Sequence, residues 1–248
     1  FLSSEPNWFD RDRFILSAGH GSMLLYSILY LAGYPDITLE DIKNFRQLNS
    51  KTAGHPEYGH ISGIETTTGP LGQGIANSVG MAMAGKWLAA NYNRPGYELF
   101  DYNTYVLCSD GDVMEGVGCE AASLAGHLKL SNLCWIYDDN SITIEGDTDL
   151  AFTEDVPKRF EAMGWNTVVV EDANDLSEIG RAIETFKQTD DRPTLVVLRS
   201  VIAWGAPNKQ NKHGAHGAPL GDEEIRLTKA FYAWPEEEKF LGPGEVRE

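Results

Sequence analysis

Ser109-Asp110-Gly111-Asp112, followed about thirty residues later by Tyr137-Asp138-Asp139-Asn140, is the pair of segments that decides the fold. Each closes an apolar run with strand character: Thr104-Tyr105-Val106-Leu107-Cys108 leads to the first, and Leu133-Cys134-Trp135-Ile136-Tyr137 runs into the second. Between them a helical pattern extends from about Glu115 to Leu130. Strand, helix, strand is a βαβ crossover, whose strands are parallel neighbours. Asp110 and Asn140 then stand at the carboxyl ends of adjacent strands, the edge at which open α/β sheets bind ligands. A carboxylate beside an amide oxygen suits a hard cation, and Mg²⁺ takes few protein ligands and completes its shell with phosphate oxygens. The spacing reads as a site for a metal-bound diphosphate. Without a ligand, the same residues are two Asx-rich turns after buried strands.

The rest of the chain repeats the alternation. Arg13-Phe14-Ile15-Leu16-Ser17 is a strand candidate entering the Gly-rich turn Ala18-Gly19-His20-Gly21-Ser22, where backbone can approach a ligand closely. His20 is either a turn residue bonded to local backbone or, from its place after a strand, a group on the ligand edge. Met23 to Leu31 is apolar nearly all round and predicts a buried helix. Thr38-Leu39-Glu40-Asp41 has capping-box spacing and starts a short helix to about Arg46. Gln47 to Gly74 shows no periodicity, and loops of that length inside compact domains are usually functional. Ile75 to Ala90, rich in Ala, Gly and Met, predicts a tightly packed helix, in the core or at a subunit contact. Thr153 to Ala162 predicts a helix, Asn166 to Val170 a strand, Asp175 to Gln188 a capped helix, Thr194 to Leu198 a fifth strand, and Gly221 to Phe231 a last helix. The fold class is α/β, a doubly wound, mostly parallel sheet flanked by helices. Residues 1–233 form that domain and 234–248 read as the start of a linker. The chain opens at Phe1 without methionine, which suggests a piece of a longer polypeptide.

Composition narrows the function. With 37 acidic against 20 basic residues the net charge is −17, which argues against nucleic acid. No apolar run is long enough to span a membrane. Cys108, Cys119 and Cys134 show no Cys-x-x-Cys spacing, so a reducing, cytoplasmic compartment is expected. Three familiar motifs fail. Asn77 stands where a dinucleotide fingerprint beginning at Gly72 needs glycine, there is no Walker lysine, and Glu115 replaces the glycine that a calcium loop starting at Asp110 requires. His213, His216 and Lys212 lie in a Gly-rich loop that suits phosphate; no third His or Cys nearby completes a zinc set.

Several stretches together, in order, resemble transketolase: Leu16 to Ser22, Lys51-Thr52-Ala53-Gly54-His55-Pro56-Glu57, Glu65 to Asn77 with Thr66-Thr67-Thr68-Gly69-Pro70-Leu71-Gly72-Gln73-Gly74, Ser109 to Gly116, Tyr137 to Asn140, and His216 to Gly221. The resemblance is to that family's N-terminal thiamine-diphosphate-binding domain, entered slightly late. Ser109 departs from the usual Gly-Asp-Gly. It implies that Asp110, Asn140 and the main-chain oxygen of Ile142 bind Mg²⁺ or Ca²⁺. Gly111, Asn140, His20 and His216 would contact thiamine diphosphate, and Gly69, Pro70 and Leu71 would pass close to its ring. His20, His55 and His216 would be catalytic, with His55 and His216 facing a sugar-phosphate substrate. Glu115 and Glu120 would lie near the interface of a homodimer whose active site sits between subunits. The implied reaction moves a two-carbon ketol unit from a ketose phosphate to an aldose phosphate. The family's pyrimidine-binding domain has no match here, so the chain alone is expected to be inactive or nearly so. Dihydroxyacetone synthase, other thiamine-diphosphate enzymes, and a non-catalytic cofactor-binding fragment are the alternatives.

Overall fold

The structure is a computed structural model that describes residues 3–242. Five strands form one sheet among the described residues: β1 (Arg13–Leu16), β2 (Thr104–Ser109), β3 (Leu133–Asp139), β4 (Asn166–Val170) and β5 (Thr194–Arg199). Their order is β1-β2-β3-β5-β4 and every pairing is parallel. The helices are α1 (Ser22–Leu31), α2 (Leu39–Lys43), α3 (Gln73–Tyr92), α4 (Asp110–Met114), α5 (Gly116–His127), α6 (Val156–Ala162), α7 (Leu176–Gln188) and α8 (Asp222–Phe231). All five expected strands are present and the α/β class is as read.

Strand alternation divides the core by face. On one face Ile15, Val106, Cys108, Leu133, Trp135, Tyr137, Leu195 and Val197 pack against α3, α5 and α6. On the other, Cys134, Val196 and Val170 meet Phe186 and Ala182 of α7, while Leu16 joins Leu25, Tyr26 and Leu29 of α1. Burial on both faces is what a parallel sheet requires. Trp135 is fully buried and donates its indole N–H to Ser78 Oγ at 2.9 Å, so its one polar atom is satisfied. Helix α3 comes so near the turn after β1 that a Cβ on Gly74 would lie 2.6 Å from Ser17 Cα.

The βαβ crossover differs from expectation in its helix. Asp110-Gly111-Asp112 is not a free turn but the first turn of α4, and the chain then breaks at Glu115 before α5 begins. The cause is a capping box. Ser109 Nα–H donates to Asp112 Oδ2 at 3.0 Å while Ser109 caps the helix, so the turn closes on itself. The helix after Thr38 ends at Lys43 rather than near Arg46, and α6 starts at Val156 behind its Asp155 cap. The expectation that α1 is buried all round fails: Leu24 and Ile28 are 51% and 50% exposed, because only one side of α1 rests on the sheet. Residues 44–72 carry no helix or strand, so the stretch expected to be irregular over 47–74 is so up to Gly72, and α3 starts at Gln73 rather than at Ile75. Residues 234–242, in the stretch read as a linker, likewise carry none, and 243–248 lie outside the described residues.

One buried carboxylate joins three segments. Asp112 is fully buried. Its Oδ1 accepts from Ser17 Oγ (2.7 Å), after β1, and from Gly72 N–H (2.8 Å), at the start of α3. Its Oδ2 accepts from the backbone and hydroxyl of Ser109. Ser17 Oγ in turn accepts from Ile75 N–H at 3.0 Å. Gly72 has φ +80°, a conformation that costs little only in glycine, and this aims its N–H at Asp112. Replacing Asp112 with Ala leaves these buried donors unpaired. The expected loss is about 3 kcal/mol, read as a lower urea midpoint and a melting temperature lower by roughly 10 °C.

Candidate functional site

The carboxyl ends of β1, β2, β3 and β5 open into a cleft of about 930 Å³. Its walls include His20 and Gly21 after β1, Gly69 and Leu71 from the long loop, Asp110 and Gly111 at the start of α4, Asp138, Asn140 and Ile142 to Ile144 around the end of β3, Ser200 after β5, and His216. Parallel pairing sets this arrangement, since Ser109 lies opposite Asp138 in the β2–β3 register. Asp110 and Asn140 therefore face one cleft, as their positions after neighbouring strands predicted.

Asp110 is only 3% exposed. Its Oδ1 accepts a hydrogen bond from the Tyr137 hydroxyl, while its Oδ2 is buried with no partner. Burial pushes its pKa up to about 6, against the opposing hydrogen bond from Tyr137. An ionised oxygen left unpaired in such a place is costly, and a cation at Oδ2 removes that cost. Asn140 Oδ1 accepts from Ile142 N–H at 2.9 Å, which folds the chain tightly after β3 and brings Ile142 into the cleft wall. Ser141, between them, has φ +60°. The Asn140 amide N–H₂ lies 3.4 Å from Asp138 Oδ2, and Asp138 Oδ1 accepts from the Ser200 hydroxyl. Burial also raises the Asp138 pKa, opposed by those two hydrogen bonds.

Gly111 packs under Leu71 so closely that a Cβ would lie 2.7 Å from Leu71 Cδ1. Two of the residues expected around a cofactor thus touch each other. Gly69 packs beside the His55 ring, where a Cβ would meet Cγ at 3.2 Å. His55 itself is exposed and is not among the residues lining the cleft, and neither is Pro70. His20 and His216, 196 positions apart in sequence, stack with ring centroids 4.9 Å apart and planes 18° from parallel. The pKa of His20 is lowered first by the protein crowded around it and then by His216, even though its outer edge meets solvent. Burial lowers that of His216, whose Nδ1 is buried without a partner. Both rings are thereby held toward the neutral form, able to accept a proton at one nitrogen and donate at the other. Glu115 and Glu120 are exposed, at the break before α5 and on α5 itself.

Tyr137, Asp138 and Ser200 carry site geometry that sequence reasoning passed over. Tyr137 and Asp138 lay inside the quoted segment, and Ser200 directly follows a strand at the ligand edge; position alone was the available signal. Among the described residues no helix is long and apolar enough to cross a membrane.

The family model described as "Transketolase, thiamine diphosphate binding domain" matches residues 2–248. Curated relatives called transketolase include one from Geobacillus stearothermophilus, 57% identical over 243 residues, and one from Bacillus subtilis, 54% identical over 245. These matches take in 98% and 99% of this chain but 36% and 37% of the relatives, so the chain spans little more than a third of their length. Among solved structures, a transketolase from Pichia stipitis in complex with sedoheptulose-7-phosphate superposes with a TM-score of 0.97 at 50% identity, covering all of this chain and 36% of that one. Transketolase from Leishmania mexicana gives the same TM-score at 46% identity, again covering all of this chain and 37% of the other.

The two lowered imidazole pKa values fix a sign. His20 binds its proton less readily in the folded than in the unfolded chain, so its contribution to stability is present above the ordinary value of 6.5 and is lost as pH falls through the lower folded value. Asp110, raised to about 6, acts in the opposite direction over the same range, so the expected reading is a difference: in urea denaturation at a series of pH values, wild type loses stability relative to His20→Asn as pH falls below 6.5. Parallel curves for the two proteins would refute the coupling.

Proposed function

Because this chain belongs to the transketolase family through its thiamine-diphosphate-binding domain, we propose that it holds the diphosphate end of thiamine diphosphate through a divalent cation. In this reading Asp110 Oδ2, the carboxamide oxygen of Asn140 and the main-chain oxygen of Ile142 bind Mg²⁺ or Ca²⁺. The supporting observation is the buried, unpartnered Oδ2 of Asp110 at the edge of the cleft. It is a donor set of hard oxygens with one anionic member lacking a counter-charge, which fits such a cation. Gly111 and Leu71 form a tight wall, in which a Cβ on Gly111 would push the end of the Leu71 side chain aside, and Gly69 continues that wall toward the place proposed for the cofactor's ring.

When bound, thiamine diphosphate supplies the electron sink that allows a carbon–carbon bond next to a ketose carbonyl to break. The chain's own part is to position and to move protons. His20 and His216, neutral near pH 7, exchange protons with substrate hydroxyl groups through a ring nitrogen each. His216 has a free Nδ1 for a hydrogen bond to cofactor or substrate. His55, exposed beside Gly69, contributes from the mouth of the cleft. The activity proposed for the whole protein is ketol transfer from a ketose phosphate to an aldose phosphate, in a cytoplasmic homodimer with the site between subunits near Glu115 and Glu120. The pyrimidine end of the cofactor is then held by a domain outside residues 1–233, reached through the segment beginning at residue 234.

Calorimetric titration of the 248-residue chain with thiamine diphosphate and Mg²⁺ is expected to show binding that requires both. Asp110→Ala should weaken it by more than about 100-fold while leaving the circular dichroism spectrum intact. Binding of equal strength in the variant would remove Asp110 from the site. Without the remaining domain, no ketol transfer is expected in a coupled assay with a ketose phosphate donor and an aldose phosphate acceptor; turnover by the chain alone would overturn that division of labour.

A further inference from the structure

We infer that Glu224 is a positioning residue for His216: by gripping the backbone at Asn208 and Lys209 from α8, it sets where the loop between β5 and α8 holds that ring in the cleft. The inference rests on the reading of His216 as a proton-handling group given above.

The ring does not hold itself in place. His216 Nδ1 is buried with no partner, and the ring stacks on His20. Its backbone N–H closes only a local turn, onto the His213 carbonyl. The loop from Ile202 to Pro219 contains one short 3₁₀ turn, His213–Ala215, and no strand that joins it to the sheet. Among the described residues its hydrogen bonds close on the loop itself or run to α8 and to Tyr232 just after it. Inside the loop, Lys212 Nζ donates to the Asn208 carbonyl at 2.8 Å and Lys209 Nζ to the Pro219 carbonyl at 3.1 Å. These two lysines tie residues 208 and 209 to the chain on both sides of His216.

Glu224 grips that knot from outside. It is the one buried residue of the ten in α8. Its Oε1 accepts from the N–H groups of Asn208 (2.7 Å) and Lys209 (3.2 Å), and its Oε2 from the Asn208 side-chain amide (2.9 Å). Successive backbone N–H groups converging on one oxygen form an anion-binding concavity. The third residue of a helix is also a favourable place for negative charge. A second clasp lies where the loop leaves the sheet. There the Tyr232 hydroxyl donates to the Trp204 carbonyl at 2.9 Å, and a Cβ on Gly205 would lie 2.6 Å from Phe231 Cδ1. That clasp fixes the start of the loop, whereas Glu224 bonds the part that is linked to both flanks of His216. Misplacing a reacting group by about 1 Å costs on the order of 100-fold in rate, so a residue that touches no ligand can still govern what His216 does.

The test reads the imidazole rather than turnover. The ring resonances of His216 and His20 are followed by NMR through a pH titration of the 248-residue chain, as wild type, Glu224→Ala and Glu224→Gln, with thermal melting as the folding control. Burial holds the His216 pKa below 6.5. Release of the loop by Glu224→Ala is expected to raise it toward 6.5, and to raise that of His20, which loses its stacked neighbour. Loss of the carboxylate's charge alone would act the other way, because a nearby negative charge favours the imidazolium. Glu224→Gln keeps an oxygen for the two backbone N–H groups, and the Asn208 amide can turn over to meet its nitrogen, so its titration should match wild type. A His216 pKa that is unchanged or lowered in folded Glu224→Ala overturns the inference. So does a Glu224→Gln chain that shifts as far as Glu224→Ala. Should Glu224→Ala not fold, amide hydrogen exchange of the wild type decides. Protection of the Asn208 and Lys209 amides that is lost together with that of α8 supports the inference, and exchange independent of α8 overturns it. A wild type with no affinity for thiamine diphosphate overturns the proposed function and leaves these resonances to decide this inference alone.

Discussion

A single buried carboxylate with no cationic partner in hydrogen-bonding contact among the described residues organises the cleft. Asp112 sits beneath it, fully buried, and is made tolerable by donors from the turn after β1, the entry to α3 and the end of β2. Those three segments are separated by long stretches of chain; β1–β2 pairing aligns two of them, and Asp112 ties the third to both. The 66–74 segment is irregular until α3 begins, and it is held by the Gly72 N–H that Asp112 receives together with the bond from the Thr68 hydroxyl to the Leu16 carbonyl. Gly69 and Leu71, which wall the cleft, are carried by that same segment. A buried carboxylate with fewer donors would be a liability; with four it becomes the fixed point from which the walls are measured.

Two residues earlier, Asp110 shows what the same group does when its donors are left incomplete. Both carboxylates are on the first turn of α4 and both are nearly inaccessible. Asp112 has all the partners it needs, whereas Asp110 has Tyr137 on one oxygen and nothing on the other. Burial raises its pKa, and the hydrogen bond from Tyr137 offsets only part of that. The contrast sets a satisfied buried carboxylate beside one with an open oxygen, and the second is the one proposed to take a ligand. The stacked His20 and His216 follow the same logic in neutral form, with one buried ring nitrogen on His216 lacking a partner.

Much of this could be read from the sequence because strands in a parallel sheet announce themselves. Each is an apolar run with a turn at its end, and the order strand, helix, strand fixes both direction and edge. That put Asp110 and Asn140 on one rim without knowledge of any coordinates. What could not be read was anything requiring contact across long sequence distance. Asp112 looked like one more turn residue, since the serine hydroxyl and glycine N–H it accepts from are 95 and 40 positions away. The capping box at Ser109 was legible locally and was missed because an expected turn hid the start of a helix. The pairing of His20 with His216 was visible only as two members of a family pattern, not as stacked rings.

Helix α1 marks the other limit. Its residues are apolar almost all round, yet Leu24 and Ile28 stand half in solvent. Hydrophobic periodicity reports the burial a segment is suited to, not the burial one chain provides. Leu24 also lines the cleft, so the unburied side of α1 is continuous with the place where the cofactor is proposed to lie. In a chain spanning little more than a third of its relatives' length, such a surface fits a site with one wall supplied from elsewhere. The cleft has a polar floor made by Asp110, Gly111 and Asn140, where the diphosphate is proposed to lie, and an apolar side where Leu24 and Ile144 face open space. A charged group anchored on the floor would leave an aromatic ring projecting toward that side. The polarity of the cleft therefore gives the proposed cofactor a direction, with phosphates inward on the sheet edge and ring outward, before any second domain is considered.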